Sequence, residues 1–213
     1  MSLKIYFLRH GETIYSQRGA YCGTTDPDLT AEGRQMGQAF ADAYAKTLEW
    51  EAVYVSPMSR TIQTVQPFCK ASGIEMQIKE GLREIAYGAW ENREQDDIKV
   101  YHEQDYIRWL TEPAWNAPTG GETAFQVASR ALPVITEIEN KHTNGNVLVV
   151  SHKATIRIIL CSLLGIDLGR YRDRIDAPAG SVSVIKFDIH GPMLETLGDR
   201  NYMPMVLRER AGT

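Results

Sequence analysis

Arg9 and His10 stand side by side where an apolar run, Ile5-Tyr6-Phe7-Leu8, gives way to Gly11-Glu12-Thr13. A guanidinium grips phosphoryl oxygens through paired hydrogen bonds, and a neutral imidazole can attack phosphorus. Gly11 lets backbone come close to whatever is held there. Three further groups fit the same chemistry. His152 follows a second apolar run, Val147-Leu148-Val149-Val150, after Ser151. Arg60 lies in Ser56-Pro57-Met58-Ser59-Arg60-Thr61, behind the run Ala52-Val53-Tyr54-Val55. Glu84 lies in Leu82-Arg83-Glu84-Ile85, where a carboxyl group could protonate a departing alkoxide. Each has an ordinary reading: a solvated loop arginine, a histidine satisfied beneath a helix start, an exposed helix arginine, a surface glutamate. The shared placement of Arg9-His10, Arg60 and His152 after apolar runs favours the chemical reading, and Glu84 joins them only if those groups form a phosphate pocket.

The elements that must hold these groups are legible as an order of strands and helices. Ile5 to Leu8, Ala52 to Val55 and Val147 to Val150 read as buried strands, with Met76 to Ile78 a shorter one. Ser183 to Phe187 and Leu194 to Leu197 read as closing strands. Gly11 to Asp28 reads as a loop. Thr30 is a helix N-cap, and that helix is expected to run to about Leu48. Ser56-Pro57 opens a second helix that ends near Gly73. Thr119-Gly120-Gly121-Glu122 introduces a long helix to about Lys141, and Ala154 to Leu164 is another. Residues 90–118, aromatic and charged with two prolines, are expected to form a lid of short helices. Alternation of strands with amphipathic helices predicts a three-layer α/β/α sandwich around a mostly parallel sheet. Ligands of such folds sit at the carboxyl ends of the strands, where His10, Arg60 and His152 independently fall.

Composition narrows the function. The 213 residues fit one domain, 1–213, and a formal charge of −4 lacks the basic excess of a nucleic-acid binder. A positive pocket on an acidic protein remains open. Cys22, Cys69 and Cys161 are odd in number and widely spaced, which fits a reduced, cytoplasmic compartment. Met1-Ser2-Leu3-Lys4 leads straight into a strand with no signal-peptide pattern, and no apolar run reaches the ~18 residues of a membrane span. There is no Gly-x-x-x-x-Gly-Lys-Ser/Thr loop, no His-Glu-x-x-His and no Gly-x-Ser-x-Gly. No metal and no cofactor are therefore expected. His102, His142 and His190 are expected to be structural or exposed.

Taken together, the chain resembles the histidine phosphatase superfamily, also called phosphoglycerate mutase-like. The resemblance rests on Arg9-His10-Gly11-Glu12; on Asp26, Leu29, Thr30 and Gly33; on Ser56, Pro57, Arg60 and Thr64; on Leu82, Glu84, Gly88, Trp90 and Glu91; and on Ser151-His152 with Ile156-Arg157. It implies that His10 is the nucleophile that becomes phosphorylated. It implies that Arg9, Arg60 and His152 hold the phosphate, and that Glu84 donates the proton and later activates water. Ser16, Cys22, Gly23, Thr24, Tyr87 and Lys153 are expected to contact substrate. Two positions depart from the common pattern. Tyr15-Ser16 stands where Trp-Asn is frequent, and Lys153-Ala154 follows the second histidine where Gly is frequent. Lys153 either adds charge at the pocket rim, selecting an acidic substrate, or faces solvent.

The resemblance covers mutases and phosphatases. Asn92 to Pro118 is short, with scattered Arg93, Lys99 and Arg108, and Pro118-Thr119-Gly120-Gly121-Glu122-Thr123 is similar to a stretch of phosphatase members. The expectation is a metal-independent phosphomonoesterase acting on a small phosphorylated metabolite through a phosphohistidine. A cofactor-dependent phosphoglycerate mutase stays open because Tyr87 matches a substrate-touching mutase position. A non-catalytic phospho-ligand binder is the alternative of another class. The oligomeric state is open, a homodimer included.

Overall fold

The apolar runs become strands because β-branched and aromatic residues suit a pleated surface buried on both faces. In the computed structural model these are β1 (Leu3–Arg9), β2 (Trp50–Val55), β3 (Met76–Ile78), β4 (Gly145–Ser151), β5 (Val182–Asp188) and β6 (Gly191–Asp199). They form one sheet in the order β3-β2-β4-β1-β5-β6. β1, β2, β3 and β4 are mutually parallel, and β5 runs against both its neighbours. The structure describes residues 2–210. Met1 and residues 211–213, which the expectation of one domain over 1–213 also includes, lie outside the described residues.

The helices are α1 (Ile14–Arg18), α2 (Ala31–Tyr44), α3 (Ser59–Ser72), α4 (Gln95–Tyr101), α5 (Glu103–Thr111), α6 (Ala124–Lys141), α7 (Lys153–Leu164), α8 (Tyr171–Arg174) and α9 (Met205–Arg208). Side chains alternate across the sheet and fill two cores. Ile5, Phe7, Tyr54, Val147 and Val149 pack with Ile135 of α6 and Ile159 of α7. Leu8, Val53, Val55, Leu148 and Val150 pack with Phe40 of α2 and Phe68 of α3. The predicted three-layer sandwich is what results.

Three local details differ from the sequence reading. The helix capped by Thr30 ends at Tyr44, short of Leu48. α3 begins at Ser59, with Pro57 ahead of its N-cap Met58. The segment read as loop from Gly11 to Asp28 contains α1. Thr13 and Ser16 form a reciprocal capping box there, and Gly19 closes the turn in the left-handed region at φ 74°. Residues 90–118 do fold into short helices, α4 and α5. Their Ile98, Tyr106 and Trp109 cluster with Trp90. Among the described residues no helix is long and apolar enough to cross a membrane.

Gly11 and Gly33 bring α2 against the turn after β1. A Cβ on Gly11 would lie 2.3 Å from the Gly33 carbonyl oxygen, and one on Gly33 would lie 2.1 Å from the Glu12 carbonyl oxygen. Both positions need glycine for this approach.

Candidate active site

β1 ends on Arg9, and His10 follows at the sheet's carboxyl edge. The His10 amide donates to the Ser151 carbonyl (3.1 Å), and its own carbonyl accepts from Gly180 (3.1 Å), so β4 and the segment entering β5 fix it from both sides. The ring is buried. Its Nδ1 lies 2.8 Å from the Gly11 carbonyl oxygen. A carbonyl only accepts, which assigns the proton to Nδ1 and leaves the Nε2 lone pair for the cavity. Burial, and then the charges of Arg60 and Arg9, hold the His10 pKa well below 6.5. The ring is therefore neutral at pH 7.

The two arginines are held differently. Arg9 is 3% exposed. Its Nη1 donates to the Ala177 carbonyl at 2.8 Å, while its buried Nε has no partner among the described residues. A buried charged donor left without an acceptor is unfavourable, and burial brings the Arg9 pKa down to about 10 despite nearby Glu84. Arg60 stands in the first turn of α3 and leans back toward the strand ends, as helical side chains do. Its nitrogens donate to the Thr25 carbonyl (2.7 Å), the Gly23 carbonyl (3.0 Å) and His152 Nδ1 (3.2 Å). Arg60 thus ties the loop after α1 to the start of α7.

His152 caps α7 without exposure. Because Nδ1 accepts from Arg60, the proton sits on Nε2, which donates to Ser56 Oγ at 2.8 Å. Burial, Arg60, His10 and Arg9 keep it well below 6.5. Its ring centroid lies 5.1 Å from that of His10. Glu84 follows a short 3-10 turn, Glu80–Leu82. Its carboxylate accepts from the amides of Ile85 (2.9 Å), Ala154 (3.2 Å) and Thr155 (3.2 Å) and from the Thr155 hydroxyl (3.2 Å). The first turn of α7 therefore fixes this carboxylate.

These groups surround a cavity of about 200 Å³. Arg9, His10, Arg60 and Glu84 line it, and His152 stands behind Arg60. Ser16, Cys22, Tyr87 and Lys153 also line it. Lys153 faces the cavity rather than solvent, and burial, with Arg9 and Arg157 nearby, pulls its pKa down to about 8. Gly23 and Thr24 are not in the lining. Their amides donate to the Glu91 carboxylate at 3.1 and 2.9 Å, and the Gly23 carbonyl holds Arg60.

Sequence reasoning gave no role to Arg157, Arg172, Trp109, Gln95 or Tyr21, which also line the cavity. Arg157 carried a signal, since it stands four residues after Lys153 on one face of α7. Arg172 had none, because α8 has four residues and no periodicity. Among the described residues no group of three or more His, Cys, Asp or Glu is gathered as a metal site.

An α/β sheet whose carboxyl edge presents a neutral histidine, an under-bonded arginine and a buried carboxyl group defines a class: proteins built to handle phosphate groups. The sequence profile described as the histidine phosphatase superfamily (branch 1) matches residues 5–200. The chain belongs to that superfamily and is an enzyme of the phosphatase kind. It is 30% identical to phosphoserine phosphatase 1 of Hydrogenobacter thermophilus over 169 residues, 79% of this chain and 80% of that one. It is 27% identical to the glucosyl-3-phosphoglycerate phosphatase of Mycolicibacterium vanbaalenii over 175 residues, 79% and 77% of the two chains. The solved structure of Bacillus stearothermophilus YhfR superposes with a TM-score of 0.86 at 26% identity, covering 94% of this chain and 98% of that one.

Proposed function

We propose that the protein is a phosphomonoesterase that acts on a small phosphorylated metabolite through a phosphohistidine at His10. The observation that carries this reading is the neutral His10, with its proton fixed on Nδ1 by the Gly11 carbonyl, beside the unpartnered Nε of Arg9. The ester phosphate accepts from Arg9, with the Arg60 charge at the cavity wall. The Nε2 lone pair of His10 attacks phosphorus, the ester P–O bond breaks, and protonated Glu84 gives its proton to the leaving oxygen. Water then attacks the phosphohistidine, Glu84 takes its proton, and the P–N bond breaks to release phosphate. Charge developing on the phosphoryl oxygens is met by fixed guanidinium groups, so the scheme calls on no metal.

Residues 90–118 act in this reading as a lid on the single domain, since Gln95 and Trp109 reach the cavity from α4 and α5. The names of relatives, phosphoserine and glucosyl-3-phosphoglycerate phosphatases, point to small phosphorylated metabolites as substrates. Three free cysteines fit a cytoplasmic setting. A mutase reading keeps one observation in its favour, Tyr87 in the cavity wall.

The test is hydrolysis of p-nitrophenyl phosphate in EDTA, beside an assay for interconversion of phosphoglycerates with bisphosphoglycerate added. Turnover is expected in the first and not the second. A phosphoenzyme that survives alkaline quench and is lost in acid is expected, and His10→Ala abolishes it. A requirement for added metal, or wild-type turnover by His10→Ala, would overturn the scheme. Binding of phosphate without any turnover would leave a ligand-binding protein.

A further inference from the structure

The cavity holds more positive charge than a phosphate monoester needs. Arg9, Arg60, Lys153, Arg157 and Arg172 line it, against Glu84 as the one carboxylate among the described lining residues. A monoester phosphate brings about −1.5 to −2 near neutral pH. Arg9 and Arg60, the latter already 3.5 Å from Asp26 Oδ1, stand beside His10 to meet that charge.

The other three cations run on from Arg9 along the cavity wall, with Arg9 and Arg157 acting on Lys153 and Arg172 on Arg157. Arg157 donates through Nε to the Ile175 carbonyl and through Nη2 to the Arg172 carbonyl. It thereby braces the turn that carries Arg172. The Arg172 guanidinium is stacked on Trp109 at 3.6 Å from the ring centroid, which leaves its in-plane N–H donors unspent. Neither Lys153 nor Arg172 donates a side-chain hydrogen bond or makes a salt bridge to a described residue. Asp176 acts on Lys153 only at longer range, beside Glu84. Half-buried cations without a counter-ion are unfavourable unless a ligand supplies one.

We infer that Lys153 and Arg172, braced by Arg157 and Trp109, form a second anion subsite, so that the substrate is a phosphate monoester bearing a further anionic group, a carboxylate or a second phosphate. This rests on the phosphomonoesterase reading. It goes beyond that reading by naming what lies at the other end of the substrate. The phosphate to be cleaved sits at His10, and the second anion reaches toward α8 and the lid helix α5.

The test compares esters that differ by one anionic group. O-phosphoserine is set against O-phosphoethanolamine, which lacks the carboxylate. Fructose 1,6-bisphosphate is set against fructose 6-phosphate, which lacks the second phosphate. The wild type is expected to favour the anionic member of at least one pair by roughly 10- to 100-fold in kcat/KM, the range of a charged hydrogen bond. The pair that shows it identifies the anion. The double variant Lys153→Met, Arg172→Met should bring that ratio close to one, while Lys153→Arg with Arg172→Lys retains most of it. Reading the ratio within each preparation removes any general loss from impaired folding. Ratios near one for both pairs in the wild type, or a preference that survives in the double methionine variant, would overturn the inference. If the wild type hydrolyses none of these esters and not p-nitrophenyl phosphate either, the phosphomonoesterase reading itself falls.

Discussion

Arg9 should behave as a residue that weakens the free fold and strengthens its complex with phosphate. Burial takes it from the ordinary 12.5 down to about 10. At about 1.4 kcal/mol per tenfold change in proton affinity, that gap is of order 3 kcal/mol. The sign follows from the direction. A base with a lowered folded pKa is more easily protonated when unfolded, so its charge opposes folding at every pH below about 10. Arg9→Met removes that charge while keeping a long apolar side chain. It also strands the Ala177 carbonyl that Nη1 now satisfies, a loss of about 1–2 kcal/mol. The balance is a gain of about 1 kcal/mol, or a melting point higher by about 2–4 °C for a chain of this length. Phosphate should raise the melting point of the wild type, by about 2.7 kcal/mol of stabilisation at a hundredfold excess over Kd. It should do little for the variant, whose kcat/KM on p-nitrophenyl phosphate should drop by roughly 10²–10³. Differential scanning calorimetry with and without phosphate reads both effects. An Arg9→Met protein that melts well below the wild type, or that phosphate protects equally, would refute the reasoning.

His10 and His152 both have folded pKa values well below 6.5, so the unfolded chain binds the extra protons. Stability from these two rings is fully present above about pH 6.5 and is lost as pH falls toward their folded values; urea midpoints measured from pH 8 to 5 should decline, and a flat profile would contradict buried neutral rings. The same protonation of His10 removes the nucleophile, so the acid limb of kcat/KM belongs below 6.5 as well. Glu84→Gln should slow esters of poor leaving groups more than p-nitrophenyl phosphate, and equal slowing would take Glu84 out of the acid role. Arg210 donates to both carboxylate oxygens of buried Glu12, at 2.9 and 3.0 Å; Arg210→Ala should lower the denaturation midpoint, by less than the loss of a fully buried pair would, because one side of Arg210 meets solvent. An unchanged denaturation midpoint would show that Thr30, which donates to the same carboxylate, is partner enough.

Much of the site was legible because the strands are. Val53-Tyr54-Val55 and Val147 to Val150 are uninterrupted apolar runs, buried throughout, and parallel order puts whatever follows them at one edge. Arg9, His10, Arg60 and His152 each come within a few residues of such a run, so local sequence located them. Glu84 was legible only through its motif, since the 3-10 turn before it has no periodic signature. Ser56, which holds His152, and Glu91, which holds Gly23 and Thr24, stand in sequence motifs that assign them no task. α1 has no signature of its own as a helix because five residues leave no hydrophobic period, although Thr13, Ser16 and Gly19 spell its caps. Arg172 and Arg210 left no trace in local sequence. Each meets its partner across a long stretch of chain, Arg172 on Trp109 and Arg210 on Glu12, and no spacing rule covers such pairs.

The unequal treatment of the two arginines beside His10 bears on how the site achieves both order and binding. Had both guanidiniums been left open, two buried charges would lack acceptors and the loop from Cys22 to Asp26 would lose its anchor. Had both been saturated, nothing buried and positive would be waiting for phosphate. Arg60 donates to Gly23, Thr25 and His152, so it fixes the site's shape and contributes its charge from the wall. Among the described residues Arg9 makes one side-chain hydrogen bond, to Ala177, and keeps Nε unpaired, so in the proposed scheme the unfavourable desolvation is concentrated on the group that phosphate relieves. Glu84 takes the opposite course. The amides of Ala154 and Thr155 hold its carboxylate, which in the proposed scheme places the acid without tying up the cations. On the proposed scheme Glu84 is a fixed acid, His10 a fixed nucleophile and Arg9 Nε the donor left for phosphate, an arrangement suited to phosphoryl transfer by positioning.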